Sequence, residues 1–252
     1  MAQSFRQTDI LELARQQGKV TVDDLVGRFG VTHQTIRRDL TELAESGKLE
    51  RVHGGAMLPS GVTNIGYEDR RDLNTDAKGA IAALCAAAIP NDCSVFLNIG
   101  TSTEAVARAL LLHRNLMVIT NNINVANILV ANPDINIMVA GGMLRRSDGG
   151  LTGALTREVI EQFKVDIAVI GCSALDHDGD LLDFDIEEVH VSQTILRQAR
   201  QSFLVADHSK FQRTAPARIA SLGEIDNFFT DRPLTTSLIR LCRDWGTEVV
   251  MG

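Results

Sequence analysis

A chain of 252 residues, 44% hydrophobic and 23% charged, is long enough for two domains with cores of their own. A net charge of −7 argues against capture of nucleic acid or an anionic membrane by bulk attraction, so contact with DNA would need a local basic patch. The polar N-terminus has no signal core and no apolar run reaches membrane-spanning length. Cys85, Cys93, Cys172 and Cys242 form no CxxC pair, a pattern that suits a reducing cytoplasm and argues against a zinc site.

From the N-terminus, Ile10, Leu11, Leu13 and Ala14 fall at helical spacing and Gly18 ends that run. Val20-Thr21-Val22 is a short β-prone piece. Asp23 and Asp24 then open a second helix at the positive end of its dipole, with Leu25, Val26 and Phe29 on its buried side and Gly30 as the turn. Thr32 is the expected cap of a third helix, in which Ile36, Leu40 and Leu43 share one face. That leaves His33, Gln34, Thr35, Arg37 and Arg38 open at the N-terminal end, the end that a helix-turn-helix places in the major groove. Gln and Arg there can bond base edges in pairs. Leu49 to Val52 reads as a strand, and Gly54-Gly55 permits the tight turn of a β-wing carrying Arg51 and His53. Adjacent arginines alone fit a solvated helix face, and His53 fits a structural turn residue equally well. The three-helix spacing together with the wing favours DNA.

Residues 1–57 carry eight basic and eight acidic residues, whereas residues 58–252 carry all of the net negative charge. The expected division is a winged helix-turn-helix over 1–57, a connector over 58–74 with Leu58-Pro59-Ser60-Gly61 as its flexible part, and a body over 75–252. In the body, Val95–Leu97, Met117–Ile119, Ile135–Ala140, Ile167–Ile170 and Phe203–Ala206 are strand-length apolar runs. Helical stretches lie between them, notably Glu104–Leu112 and Val125–Ala131. This alternation predicts a mainly parallel α/β sheet covered on both faces, with ligands beyond the C-terminal strand ends.

Polar residues collect at those ends. Gly100, Thr101, Ser102 and Thr103 follow a strand and open a helix, so free amides and hydroxyls could hold a phosphate, although an ordinary capped turn has the same composition. Asn121 and Asn122, Gly141 and Gly142, and Gly171-Cys172-Ser173 follow three further strands. Asp207 and Lys210 end another, where Lys210 offers the positive charge that a phosphate needs; a plain Asp–Lys surface pair is the alternative. Asp183 and Asp185 precede a helix and fit either its cap or a ligand's hydroxyls.

The run TIRRDL at Thr35–Leu40 followed by RVHGGA at Arg51–Ala56 resembles the signature of the DeoR family of bacterial transcriptional regulators, and the resemblance extends over essentially the whole chain. It implies an N-terminal winged helix-turn-helix that binds double-stranded operator DNA, and a C-terminal sensor domain similar in fold to ribose-5-phosphate isomerase. The Asn98–Thr103 loop, TNN, AGG with Arg145 nearby, LLDFD and DHSKF resemble the corresponding segments of members of that family that respond to glycerol 3-phosphate, and the resemblance implies that effector. Gly100, Thr101, Thr103, Asn121, Asn122 and Lys210 would then hold its phosphate and hydroxyls, and Lys78, in a TDAK segment before a helix, would face the same pocket. The family commonly has Asp where this chain has Asn98, which weakens a catalytic reading and leaves sensing intact. The resemblance further implies a homo-oligomer, without cofactor, metal or membrane partner. One alternative is a repressor of the same type that senses another phosphorylated sugar or polyol; the alternative of another class is a sugar-phosphate isomerase with a DNA-binding appendage, for which Asp183, Asp185 and Asp207 are the candidate bases.

Overall fold

The computed structural model describes residues 2–17, 19–59 and 64–252. The N-terminal unit runs α1 (Ala2–Gln17), β1 (Lys19–Thr21), α2 (Val22–Phe29), α3 (His33–Glu45), β2 (Glu50–Val52) and β3 (Gly55–Met57). Thr21 caps α2 by accepting the Asp24 amide, so Val22 begins the helix rather than extending β1. Gly30, at φ 62°, closes α2, and Thr32 caps α3 by accepting the Thr35 amide. Ile10, Leu25, Ile36, Leu40, Leu43 and Ala56 form one core under the antiparallel β1-β3-β2 sheet. A Cβ at Gly55 would run into the Val20 carbonyl, which is why the wing crosses β1 at a glycine. Gly18, and Ser60 and Gly61 of the expected flexible connector, lie outside the described residues.

The second unit continues with α4 (Tyr67–Asp72), α5 (Thr75–Ala87), β4 (Ser94–Leu97), α6 (Thr101–Ala109), β5 (Leu116–Thr120), α7 (Ile123–Leu129), β6 (Ile135–Val139), β7 (Met143–Leu144) and β8 (Leu151–Thr152). Then come α8 (Ala154–Glu161), β9 (Val165–Ile170), β10 (Ala174–Leu175), β11 (Asp180–Asp183), α9 (Ile186–Arg197), β12 (Ala199–Val205), β13 (Ala217–Ser221), β14 (Asn227–Thr230), α10 (Thr236–Trp245) and β15 (Glu248–Met251). Seven strands make one parallel sheet in the order β15-β14-β12-β9-β4-β5-β6. The five apolar runs read from the sequence are all in it, and β14 and β15 extend it.

Strand residues alternate between two cores. Val95, Leu97, Phe203 and Val205 pack with α5, α6 and α7, while Phe96, Leu204 and Phe228 pack with α8, α9 and α10. Both faces are therefore covered, which explains the nearly continuous apolar runs. Among the described residues no helix is long and apolar enough to cross a membrane.

The strand order reverses between β4 and β9. At such a reversal the loops that follow the two strands turn to opposite faces and leave a crevice at their C-terminal ends, the place where open α/β sheets take ligands. Here the crevice lies between Asn98–Gly100, after β4, and Gly171–Ser173, after β9.

Candidate functional site

On α3, His33, Gln34, Arg37 and Arg38 are exposed and Thr35 is half-buried. Two of these are lightly engaged: Arg38 donates to Glu42 at 3.0 Å and the His33 ring lies 3.0 Å from Asp23. Asp23 is exposed, so a phosphate or base can displace it, while Glu42 is half-buried and also accepts from Gln7 at 2.7 Å. Arg51 is placed differently. It is half-buried, its Nη1 has no partner, and it lines a cavity of about 300 Å³ between the reader and the body. Burial and then the charge of Arg37 lower its pKa. His53 sits at the wing tip, where its amide donates to Asp69 at 2.9 Å and its ring lies 3.1 Å from Asp72.

In the body, Lys78, Asp207 and Lys210 come together at the crevice. Lys78 lies in the first turn of α5 rather than ahead of a helix, because Asn74 at φ 52° starts α5 earlier than the TDAK reading expects. Its ammonium donates to the carbonyls of Arg70 and Leu73. Asp207 accepts from the Asn74 amide at 2.8 Å and the Ser209 N–H at 3.0 Å. Burial opposes ionisation of Asp207, but Lys210 and these donors outweigh it and bring its pKa down to about 2. Burial, reinforced by Arg213 and Arg70, brings Lys210 down to about 8. Lys78 also falls to about 8, mainly through burial, with Lys210, Arg213 and Arg70 adding to it. Lys78, Lys210, Arg213 and Arg70 thus meet at a site whose carboxylates are Asp207, Glu50 at its edge, Asp148 beside Arg70 and Glu104 in the first turn of α6. Burial of Lys78, Lys210 and Arg213 so close together is costly, and an anion that joined them would lower that cost.

Gly100, at φ 140°, turns the chain into α6, whose first residues Thr101, Ser102 and Thr103 are buried. Thr103 donates to the Gly100 carbonyl at 2.7 Å and Thr101 to the Arg70 carbonyl at 3.4 Å. The α6 amides face the crevice with the positive end of the helix dipole. Asn98 is buried, donates to Ser192 at 2.8 Å and leaves its Oδ1 unpartnered.

The remaining predicted residues are spread along the rim. Asn121 and Asn122 are fully buried. Asn121 donates to the Leu151 carbonyl at 3.1 Å, and Asn122 caps α7 by accepting the Asn124 amide at 2.9 Å. Gly141 and Gly142 follow β6, four strands from β12 and so about 19 Å across the sheet. The Gly141 carbonyl accepts from Thr156 at 2.6 Å, and a Cβ on Gly142 would strike that same hydroxyl, so both are used in seating α8. Asp185 caps α9 by accepting the Glu187 amide and pairs with Arg145 at 2.7 Å. Arg145 also binds Asp148 and Glu188, at 2.7 and 2.6 Å. Burial, with Asp183 adding to it, pushes Glu188 up to about 7.

Arg70 and Arg213 were not singled out in the sequence. Arg70 lies on α4, inside the expected connector; its Nη2 is 3.5 Å from Asp148 and its Nε is buried without a partner. Tyr67, on the same helix, donates to Glu104 at 3.0 Å. Residues 67–78 are therefore a strap across the crevice. A cleft of about 610 Å³ lined by His177, Phe211, Arg232 and Leu234 touches none of the predicted effector residues.

Comparison with known proteins agrees with both halves. Residues 6–62 match the model described as the DeoR-like helix-turn-helix domain, and residues 73–232 match the DeoR C terminal sensor domain. The chain belongs to the DeoR family. It is 46% identical over 97% of both chains to the glycerol-3-phosphate regulon repressor of Escherichia coli K12. It is 43% identical to the Haemophilus influenzae repressor of the same name, covering 100% of this chain and 98% of that one. Among solved structures, ribose 5-phosphate isomerase A from Methanocaldococcus jannaschii covers 55% of each chain at 14% identity, with a TM-score of 0.41. In this DeoR-family chain the matched sensor segment begins at Leu73, within the strap, and includes Lys78, Lys210 and Arg213.

Proposed function

We propose that this chain is a transcriptional repressor of glycerol and glycerol-3-phosphate metabolism genes, released from its operator by glycerol 3-phosphate. Relatives 46% and 43% identical over nearly their whole length carry the name glycerol-3-phosphate regulon repressor, which supports the regulatory reading. The observation that carries the effector is the cluster of buried cations at the crevice: Lys78, Lys210 and Arg213 around Asp207, near the N-terminus of α6.

In this reading residues 1–57 are the reader, 58–74 the connector and 75–252 the sensor. His33, Gln34, Thr35, Arg37 and Arg38 enter the major groove, with Arg51 and His53 of the wing beside it. Gly100–Thr103 and Lys210 take the phosphate, with Lys78 beneath. Asp207 keeps Lys210 charged, and Asp185 is within reach of a hydroxyl through Arg145. Asn121, Asn122, Gly141 and Gly142 shape the rim. The operator-bound form is a cytoplasmic homo-oligomer, since a two-fold operator needs at least two readers. A catalytic role is disfavoured because its candidate bases are otherwise engaged: Asp207 is bound by Asn74 and Ser209, and Asp183 accepts the Phe184 amide at 2.7 Å.

A mobility-shift titration on DNA upstream of the chain's own genomic neighbourhood, at fixed salt, tests the reading. Release by glycerol 3-phosphate, but not by glycerol or fructose 1-phosphate, is the expected result. Binding that glycerol 3-phosphate leaves untouched would discard this effector, and turnover of ribose 5-phosphate would restore the isomerase rival.

A further inference from the structure

Arg213 is 8% exposed, yet its guanidinium is poorly used. Its Nη1 has no hydrogen-bond partner, and its ion-pair partner Glu50 stands 3.7 Å from Nε, too far for a good hydrogen bond. Glu50 is itself largely buried, and burial raises its pKa before Arg213 and Lys210 draw it back. Glu50 lies on β2, in the wing; Arg213 follows the turn that carries Lys210. Both line the 300 Å³ cavity between reader and body, together with Asn74 and Ser209, the two residues whose N–H groups bind Asp207.

We infer that Glu50 is an internal competitor for the effector's phosphate: it occupies Arg213 in the arrangement seen here and gives way when an anion binds. This inference rests on the phosphorylated-effector reading above. A phosphate held at Lys210, on which the Arg213 charge already acts, would reach the Arg213 guanidinium and gain N–H donors there, a stronger geometry than the single long contact to Glu50. A phosphate dianion on that guanidinium repels the nearby Glu50 carboxylate in a buried site and weakens a contact that is already long. Displacing Glu50 loosens the contact of β2 with the body, because Glu50 lies on that strand between core residue Leu49 and Arg51.

Among the described residues, the polar ties of the reader to the strap are then His53 of the wing to Asp69 and Asp72, and Lys19 of β1 to Asp69 at 3.8 Å. Exposed pairs of this kind hold little. The charge that recognises the ligand and the charge that docks the reader are thus one guanidinium. A ligand binding there shifts the reader–body equilibrium through its differential affinity for the two arrangements.

Calorimetric titration of the full-length chain with glycerol 3-phosphate, and separately with inorganic phosphate, tests this. Glu50→Gln removes the competing charge at nearly constant shape, so both anions should bind about fivefold tighter than to wild type, the effect of one weak ion pair. Glu50→Asp keeps the charge and should stay near wild type, which guards against a folding artefact. Arg213→Lys should weaken both anions, and on that background Glu50→Gln should add little. Unchanged or weaker binding in Glu50→Gln, while wild type binds glycerol 3-phosphate and releases the operator, overturns the competitor and leaves the repressor reading intact. Tightening toward inorganic phosphate, with no response to glycerol 3-phosphate, keeps the competitor and discards that effector. Failure of every variant to bind either anion overturns both.

Discussion

The two crevice lysines set a pH dependence with a definite sign. Lys78 and Lys210 each sit at about 8 in the unliganded chain, below the ordinary 10.5. Each is therefore about nine-tenths charged at pH 7 and about one-tenth charged at pH 9. A bound phosphate dianion favours the ammonium form and raises both values, so binding near pH 8 takes up protons, and affinity is lost as pH rises through 8. The effector's own second ionisation lies near 6, so its charge is constant over this range. If both ammonium groups are required, affinity falls about a hundredfold between pH 7 and 9, and about tenfold if only one is. Calorimetry with glycerol 3-phosphate on the full-length chain, in two buffers of different ionisation enthalpy, reads both the affinity and the proton uptake. Lys210→Met should weaken binding at pH 7 and limit the decline to about tenfold. An affinity constant within twofold from pH 7 to 9, with no proton uptake, would refute the placement of these lysines around the phosphate. Folding stability runs the other way. The native chain binds fewer protons than the unfolded chain between about 8 and 10.5, so these two groups make stability rise with pH across that window.

Arg37→Ala should cost about 1–3 kcal/mol of operator binding and relax preference at one base position, read by mobility shift on operator variants. An unchanged affinity in both Arg37→Ala and Arg38→Ala would displace α3 from the groove. Leu40 is fully buried in the reader core, so Leu40→Ala should destabilise that unit by about 2–5 kcal/mol. Calorimetric melting should then show an early transition that the body does not share. Gly55→Ala places a methyl against the Val20 carbonyl and should open the β1–β3 pairing, abolishing DNA binding while effector binding in calorimetry persists.

Most of the reader was legible in the sequence because its determinants are local. Thr32, Gly30 and the Ile36–Leu40–Leu43 spacing act within one or two turns, and the structure uses each of them as the periodicity implies. The parallel sheet was legible for a similar reason: strands buried on both faces must be apolar throughout, as Val95–Leu97 and Ile167–Ile170 are. The short strands β14 and β15 lack such long runs, and only pairing with β12 and with each other makes them strands. The crevice itself was half legible. A hydroxyl-rich turn after β4 and a lysine after β12 announce polar strand ends, but not which ends meet. Strand order decides that. The reversal between β4 and β9 brings Lys210 toward Gly100 and leaves Gly141 and Gly142 at the far edge, where they seat α8. Arg70 and Arg213 carry no local signature, since an arginine in a charged connector reads as solvated until the chain folds it over the site. Glu50 reads as one more wing residue. Its pairing with Arg213, across 163 positions of sequence, exists only because tertiary packing lays the wing against the sensor, and no local pattern encodes a contact made at that separation.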